Sequence, residues 1–253
     1  MKLGIKGKKV VITGASQGIG LEIAELFSQE GASVTIISSN KKKLDKAFNL
    51  IKNNSKKNKH FKILSNLNND KQLNIALSKI LKNGVPDIVI HNVGGTLEVK
   101  SPLASYKDWL KVVNFNVGIA IKINNKIVPL MKKRKSGKIV HISSISSRSL
   151  RGSAPYAASK AFLDAYVQTL ARDLATSGIV VSAVLPGAIY AKGGHWDNVK
   201  KTNPKKMHDF LRHHHAIGRL GRAKEIAPWV LFLCSNYSTF SVGTLLNVDG
   251  GTM

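Results

Sequence analysis

The first thirty residues constrain the fold most, because they join a buried strand, a glycine-rich turn and a helix in that order. Lys9–Thr13 is a short β-branched apolar run, which predicts a buried strand. The turn Gly14-Ala-Ser-Gln-Gly-Ile-Gly20 follows at once, and apolar residues at helical spacing then run to Gln29, just before Gly31. Glycines at such a turn let a pyrophosphate approach the helix N-terminus. The spacing is G-x-x-x-G-x-G rather than G-x-G-x-x-G, but its flanking strand and helix still favour a dinucleotide-binding loop.

Strands and helices alternate along the rest of the chain. Further strands are predicted at 33–38, 62–65, 87–91, 138–143, 179–185 and 244–248, and further helices at 109–133 with a break near Pro129, at 156–176 and at 223–235. This alternation predicts an α/β fold, a Rossmann-type doubly wound parallel sheet of about seven strands with helices on both faces. No linker or repeat divides the sequence, so one domain over residues 1–253 is expected.

A tyrosine and a lysine share one face at the start of a predicted helix. Tyr156 and Lys160 are four residues apart, so their side chains stack on the same side. A free Tyr has a pKa near ~10, and a neighbouring cation favours the phenolate and lowers that pKa toward neutrality. Alone, such a pair is typical of an ordinary helix surface, and its significance depends on the motifs around it.

These motifs together resemble the short-chain dehydrogenase/reductase family over essentially all 253 residues. The matching elements are the Thr13–Gly20 loop, His91-Asn-Val-Gly94 in place of the family's Asn-Asn-Ala-Gly, Asn116, Ser144, Tyr156 with Lys160, Pro186-Gly187 and Asn247-Val-Asp-Gly-Gly251. The resemblance implies hydride transfer between a nicotinamide and a carbonyl or secondary alcohol carbon.

The resemblance also implies a role for each catalytic residue. Tyr156 would exchange the proton, Lys160 would lower the Tyr156 pKa and bind the cofactor ribose, and Ser144 would hold the substrate oxygen. Asn116 would hold a water that links Lys160 to solvent. Ser143 is the rival to Ser144, but it lies one residue nearer the strand and should point to the opposite face. The implied cofactor contacts are Gly14, Ser16, Gln17, Gly18, Ile19, Gly20, Ser38, Ser39, Asn40, Asn66, Leu67, Asn92, Val93, Gly94, Tyr156, Lys160, Pro186, Gly187 and Ile189.

The end of the second strand favours NADP(H) over NAD(H), although NAD(H) stays possible. An NAD site usually has an Asp or Glu there, whereas this chain has Ser38-Ser39-Asn40 followed by Lys41-Lys42-Lys43. Gln17 stands where many NADP-dependent relatives carry Arg or Lys. Two more departures are Ala191, in place of a threonine that bonds the carboxamide, and Asn66, in place of an aspartate near the adenine.

Residues 191–217 are predicted to form a lid that selects the substrate. The segment is polar and basic, and its candidate pocket residues are Trp196 and one of the histidines, His195 or a member of His213-His-His215. A metal site is not expected, because consecutive histidines point in different directions and no suitably spaced acid or thiol accompanies them. The lid favours a polar or anionic substrate.

Three functions remain open from the residues. The first is a reductase similar to the 3-oxoacyl-(acyl-carrier-protein) reductases, supported by overall likeness and by the Gly218-Arg-Leu-Gly221 segment. The second is a dehydrogenase or reductase of a sugar or nucleotide sugar, supported by the polar lid. The third, a cofactor-binding module without turnover, conflicts with the presence of Ser144, Tyr156 and Lys160.

The formal net charge of +25 comes from 39 basic against 14 acidic residues. Compositional drift on exposed surfaces is the simplest explanation of this charge, and attraction of an anionic substrate is a second explanation. No pattern indicates specific nucleic-acid binding.

The single cysteine, Cys234, favours a reducing compartment, and no apolar stretch reaches transmembrane length, so a cytoplasmic location is expected. The resemblance implies a homotetramer or homodimer that pairs helices at about 105–135 and 155–177, where Phe162, Tyr166 and Leu170 are candidate contacts.

Overall fold

A parallel sheet with the strand order β3-β2-β1-β4-β5-β6-β9 forms the centre of the computed structural model. The structure describes residues 2–55, 58–192 and 194–252, and for His195 the backbone only. Within these residues the strands are β1 Lys9–Thr13, β2 Ser33–Ser38, β3 Phe61–Leu64, β4 Ile88–His91, β5 Gly137–Ile142, β6 Ile179–Pro186 and β9 Leu245–Val248. Two short strands, β7 Ile189–Tyr190 and β8 Gly221–Arg222, pair with each other beside this sheet.

Helices cover both faces of the sheet and complete two apolar cores. The helices are α1 Gly18–Gln29, α2 Lys41–Asn54, α3 Asp70–Lys82, α4 Tyr106–Val113, α5 Ile119–Arg134, α6 Ser146–Ser149, α7 Ala154–Leu174, α8 His195–Thr202, α9 Pro204–His214 and α10 Ala223–Cys234. Ile23 of α1 and Val230 of α10 pack on one face, and Ile123 of α5 and Val167 of α7 pack on the other. Successive strand residues alternate between these cores, as Val10 and Val11 do, because strand side chains have a period of two. The predicted doubly wound fold is therefore confirmed.

The strand order reverses direction between β1 and β4. Strand β1 pairs in parallel with β2 on one side and with β4 on the other. A crevice opens at the carboxyl ends of strands where the order reverses, and it is the usual ligand site of such sheets. The glycine turn after β1 and the Asn92 turn after β4 lie on either side of this point.

The predicted helix break near Pro129 is wrong. Pro129 lies inside α5, and both Pro129 and Asn125, whose carbonyl loses its helical partner, are exposed to water. The irregularity falls earlier, at a π-helical turn over Asn114–Gly118. Such turns are rare and recur at functional sites.

Helices α2, α3, α8 and α9 have no counterpart among the helices predicted from the sequence. Helix α2 begins at the Lys41–Lys43 run, where the Asn40 side chain caps it by accepting from the Lys43 backbone N–H. Asn69 caps α3 in the same way. Charged and polar residues dominate α2 and α9, so few apolar residues mark these helices in the sequence.

Candidate active site

The glycine turn after β1 forms an open cradle at the N-terminus of α1. Gly14 and Gly18 have φ of +66° and +57°, a region that side-chain-bearing residues rarely adopt. A Cβ on Gly20 would lie 2.5 Å from Asn92 Nδ2 and 2.6 Å from the Gly14 carbonyl oxygen. Asn92 Nδ2 itself donates to that oxygen at 2.9 Å, so the turns after β1 and β4 are tied together. The turn has the shape that a pyrophosphate requires, because its backbone is unobstructed by side chains.

Polar and basic groups surround the end of β2 beside this cradle. The hydroxyls of Ser16 and Ser38 are 2.8 Å apart. Lys43 Nζ donates to Gln17 Oε1 at 2.7 Å, so the first turn of α2 reaches across to the glycine turn. Ser39 and Asn40 are exposed at the same end of the strand. This corner presents hydroxyls and an ammonium group to any ligand that lies along the cradle.

Two further residues of the expected adenine end differ in how accessible they are. Asn66 is exposed, and its side chain accepts from the Asn68 backbone N–H at 3.1 Å. The side chain of Leu67 is buried in the core, which leaves its backbone as the group available to a ligand. Ile19 and Val93 likewise pack their side chains against the two cores.

Asn116 sits in the π-helical turn and fastens the loop after β4. Its Oδ1 accepts from Gly95 N at 3.0 Å, and its Nδ2 donates to the carbonyls of Gly95 and Val112 at 2.8 Å each. A Cβ on Gly94 would lie 2.7 Å from Asn116 Oδ1 and 3.1 Å from Lys160 Nζ. Gly94 therefore permits the close approach of these two side chains. The amide of Asn116 is engaged with the backbone of this loop, and its expected contact with a water stays a prediction.

Ser143 and Ser144 point in opposite directions at the end of β5, as the alternation of strand side chains predicts. Ser144 hydrogen-bonds the phenol of Tyr156. Ser143 Oγ instead donates to Asp164 Oδ1 at 2.5 Å, in the interior. Ser144 is thus the serine that meets Tyr156.

The start of α7 places Tyr156 and Lys160 beside this serine. Ser153 caps the helix by accepting from the Tyr156 backbone N–H at 3.2 Å, and its hydroxyl donates to the Val99 carbonyl at 2.6 Å. Lys160 is buried, donates to the Ile142 carbonyl at 2.9 Å and lies 5.5 Å from the centre of the Tyr156 ring. The cap and the carbonyl contact fix both side chains in place.

Burial changes the acidity of both groups. Desolvation raises the pKa of the Tyr156 phenol, and the hydrogen bond from Ser144 acts in the opposite direction. Desolvation also lowers the pKa of Lys160 to about 8, against an opposing contribution from Asp164. Lys160 can therefore exchange a proton within the physiological range, and the Ser144 contact favours the phenolate form of Tyr156.

The turn after β6 closes the other side of the crevice. Pro186 is buried, and a Cβ on Gly187 would lie 2.5 Å from the Asp249 carbonyl oxygen. Ile189 pairs with Gly221 in the small two-stranded sheet, which holds its backbone rigid. These residues and Lys160 lie at the same edge of the sheet.

Contacts of His215 hold the base of the lid in place. His215 Nε2 accepts from the Ala188 backbone N–H at 3.4 Å and lies 3.2 Å from Thr252 Oγ1, and the backbones of His215 and Thr252 form an antiparallel bridge. Above this base, the rings of Trp196 and Phe210 pack 4.4 Å apart. The role of Thr252 had no sequence signal, because a single residue near the end of the chain forms no pattern.

A buried aspartate organises the first lid helix. Asp197 accepts from Tyr190 Oη at 2.9 Å and pairs with Lys201 at 2.8 Å. Phe210 packs against the rings of both His214 and His215, and His213 lies against the Asp209 carbonyl. No group of three His, Cys, Asp or Glu side chains in the described part of the chain could hold a metal ion. No helix within the described ranges is long and apolar enough to cross a membrane.

Two buried histidines lie directly beneath the crevice. His91 ends β4 and His141 lies on β5, and their rings stack with centroids 4.6 Å apart. His91 Nε2 is 2.8 Å from Asn124 Oδ1, and Asn124 donates to Tyr166 Oη at 3.0 Å. Burial lowers the pKa of His91 to about 4 and that of His141 well below its usual value, so both rings are neutral at pH 7. From the sequence, His91 is only a departure from the family motif.

Comparison with known proteins agrees with this geometry. A family model described as enoyl-(acyl carrier protein) reductase matches residues 14–253. The chain is 34% identical over 248 residues to the 3-oxoacyl-(acyl-carrier-protein) reductase of Rickettsia typhi, covering 98% of this chain and 97% of the relative.

Two solved structures have nearly the same fold. The L-sorbose reductase of Gluconobacter frateurii, complexed with NADPH and L-sorbose, is 28% identical with a TM-score of 0.93 and covers 100% of this chain and 98% of its own. A 7α-hydroxysteroid dehydrogenase, complexed with NADH and 7-oxo-glycochenodeoxycholic acid, is 29% identical with a TM-score of 0.89 and covers 98% and 95%.

Proposed function

The chain belongs to the short-chain dehydrogenase/reductase family, and from that premise we propose that it is an NADP(H)-dependent 3-oxoacyl reductase with Tyr156 as its proton donor. One arrangement carries the proposal. Ser144, Tyr156 and Lys160 converge at the sheet edge that also holds the glycine cradle. Acid–base groups and a dinucleotide cradle at one edge support hydride transfer coupled to transfer of one proton.

The residues present fit a nicotinamide dinucleotide. The glycine turn is open at Gly18, where a Cβ would meet only the Ala191 side chain, at 3.9 Å, and the ammonium of Lys160 lies against Gly94. When bound, the cofactor supplies the hydride and accepts it in the reverse reaction. Lys160 would bind the ribose hydroxyls, and the backbone of Ile189 would hold the carboxamide.

Tyr156 would give its phenolic proton to the substrate oxygen during reduction. Ser144 would hold that oxygen by a hydrogen bond, so that the charge developing on it is stabilised and directed at the phenol. Lys160, with a pKa of about 8, would then favour the phenolate that remains and help to restore its proton. Asn116 would keep the loop that carries Gly94 and Gly95 against this pair.

The β2 end supports NADP(H) rather than NAD(H). Lys43 reaches Gln17 beside the cradle, so its ammonium would be available to the 2′-phosphate of NADP. The L-sorbose reductase structure carries NADPH, in agreement with this assignment. The ratio of kcat/KM for NADPH to that for NADH is the direct measurement, and a ratio below one would contradict the assignment.

A carrier-bound 3-oxoacyl group is the substrate that the relatives favour. The Rickettsia typhi protein is named for acyl-carrier-protein substrates, and the net charge of +25 would attract an acidic carrier to this chain. A sugar reductase is the second candidate, because the L-sorbose reductase is similar in fold over the whole chain and the lid helices are basic. A screen of NADPH oxidation over acetoacetyl thioesters and keto-sugars separates the two functions.

An assembly through α4 and α7 is part of the same proposal. Leu110 on α4 and Phe162 on α7 are 48% and 49% exposed, and contact with a second copy of the chain would bury both side chains. Light scattering at micromolar concentration should give a dimer or a tetramer. A cytoplasmic location accords with the single cysteine, Cys234, which is buried and free.

The Tyr156→Phe variant tests the assignment of the proton donor. The variant keeps the ring and loses the hydroxyl, so it should fold normally and lose nearly all turnover. Tyr166→Phe is the matched control, because it removes from the same helix a phenolic hydroxyl that hydrogen-bonds Asn124. If Tyr156→Phe kept more than about a tenth of wild-type activity, Tyr156 could not be the general acid.

A further inference from the structure

Three successive residues at the end of β5 each contact one face of α7, and we call this arrangement the β5–α7 clasp. Tyr156, Lys160 and Asp164 are spaced by four along α7 and therefore share a face. The clasp consists of three contacts, which are Ser144 with Tyr156, the Ile142 carbonyl with Lys160 and Ser143 with Asp164. The first two contacts hold the proposed acid–base pair, and the third has no role in the proposed function.

Asp164 is an unusual residue to find at this depth. Its exposed fraction is 8%, and an ionised carboxylate in the interior is destabilising unless hydrogen bonds or opposite charge compensate. Both forms of compensation are present. The Ser143 hydroxyl donates to Oδ1 at 2.5 Å, and Lys160, one helical turn earlier, supplies a positive charge.

We propose that Asp164 is a positioning residue for the reaction, whose buried carboxylate holds Lys160 as an ammonium and fixes the Ser143-Ser144 segment against α7. The inference rests on the proposed role of Lys160 in proton transfer. It assigns to Asp164 an effect on the chemistry although Asp164 touches neither substrate nor cofactor.

The charges around Lys160 support this assignment. Desolvation lowers the Lys160 pKa to about 8, and Asp164 is the neighbour that acts to raise it. The other titratable groups that face Lys160 are Tyr156 on α7 and His141 on β5, with His91 on β4 stacked behind His141. Burial keeps both histidines neutral at pH 7, so they do not supply the compensating negative charge.

Asp164→Asn tests the charge and preserves the shape. The amide oxygen can still accept from Ser143, while the negative charge is lost. Lys160 should then lose its proton at lower pH, and the alkaline limb of the kcat profile for reduction should move down by about 1 pH unit. Below that limb Lys160 is still protonated, and kcat at pH 6 should stay near the wild-type value.

Ser143→Ala is the matched control, because it removes the hydrogen bond and keeps the charge. Its alkaline limb should coincide with that of the wild type. A purely structural role for Asp164 would lower kcat at every pH in Asp164→Asn and leave its alkaline limb in place, which would overturn the proposal. Asp164→Ser gives a second neutral variant if the asparagine variant does not fold.

The titration of Lys160 can also be read without turnover. In protein labelled with 13C at lysine Cε, the Lys160 signal is the one that disappears in Lys160→Met, and its midpoint should fall in Asp164→Asn relative to wild type. A lower midpoint in a protein that shows no turnover would support the role of Asp164 and count against the proposed function. An active enzyme whose Lys160 midpoint is unchanged by Asp164→Asn would refute the role of Asp164.

Discussion

Replacing Lys43 by Gln should weaken the use of NADPH and leave the use of NADH nearly unchanged. Lys43 is exposed and bonded to Gln17 at 2.7 Å, so its ammonium is already held at the corner where a 2′-phosphate would bind. A hydrogen bond to a charged group contributes about 1.5–3 kcal/mol when both partners are held in place, and less at an exposed position such as Lys43. Loss of a contact of about 0.5–2 kcal/mol corresponds to a roughly 2- to 30-fold loss of kcat/KM with NADPH.

The assay is the initial rate of NADPH and NADH oxidation at fixed substrate and low ionic strength, repeated at high salt. Lys46→Gln is the matched control, since it removes the same charge from an exposed position of the same helix. Salt should reduce the effect of Lys43→Gln because exposed charges are screened. Equal losses in the two variants, or an equal loss with NADH, would show that net charge and not a local phosphate contact is responsible.

Three further outcomes follow from the packing of the site. Gly94→Ala should abolish cofactor binding and activity, because its Cβ would lie 3.1 Å from Lys160 Nζ. Gly95→Ala is the control and should be tolerated, because its Cβ would meet its nearest atom at 3.6 Å. Equal binding of NADPH to both variants in calorimetry would contradict this prediction. The pKa of His91 falls from 6.5 in the unfolded chain to about 4 in the folded one, so its contribution to stability is complete above pH 6.5 and is lost as the pH falls toward 4. Urea unfolding at pH 7 and pH 4 should show a loss of about 3 kcal/mol from this group, and His91→Leu should show a smaller loss. Burial raises the pKa of Cys234 to about 12, so a thiol reagent should label it only after unfolding, and labelling of the native enzyme within minutes would contradict its buried position.

Local patterns predicted the sheet and the crevice because both depend on neighbours in sequence. The β-branched run at Lys9–Thr13 and the glycines that follow it are contiguous, and their strand, turn and helix form where the pattern places them. The choice between Ser143 and Ser144 could be made from strand alternation alone. Each of these features needs only the period of one element.

The features that were missed depend on contacts between distant segments. Asp164 looks like one polar residue in an amphipathic helix until β5 brings Ser143 against it. His215 and Thr252 are 37 residues apart, and the stacking of His91 on His141 depends on the pairing of β4 with β5. The helix break predicted at Pro129 was wrong because Pro129 is exposed to water, which removes its effect on the helix.

The β5–α7 clasp also makes catalytic activity a reporter of folding. Its three contacts share one helix face, so a rotation of α7 by a single residue, about 100°, would break all of them together. A refolding intermediate with the sheet formed and α7 undocked would therefore have no partial activity. Regain of turnover after dilution from urea should follow the docking of α7, measured by hydrogen exchange of its amides, and should lag behind the recovery of total helix content.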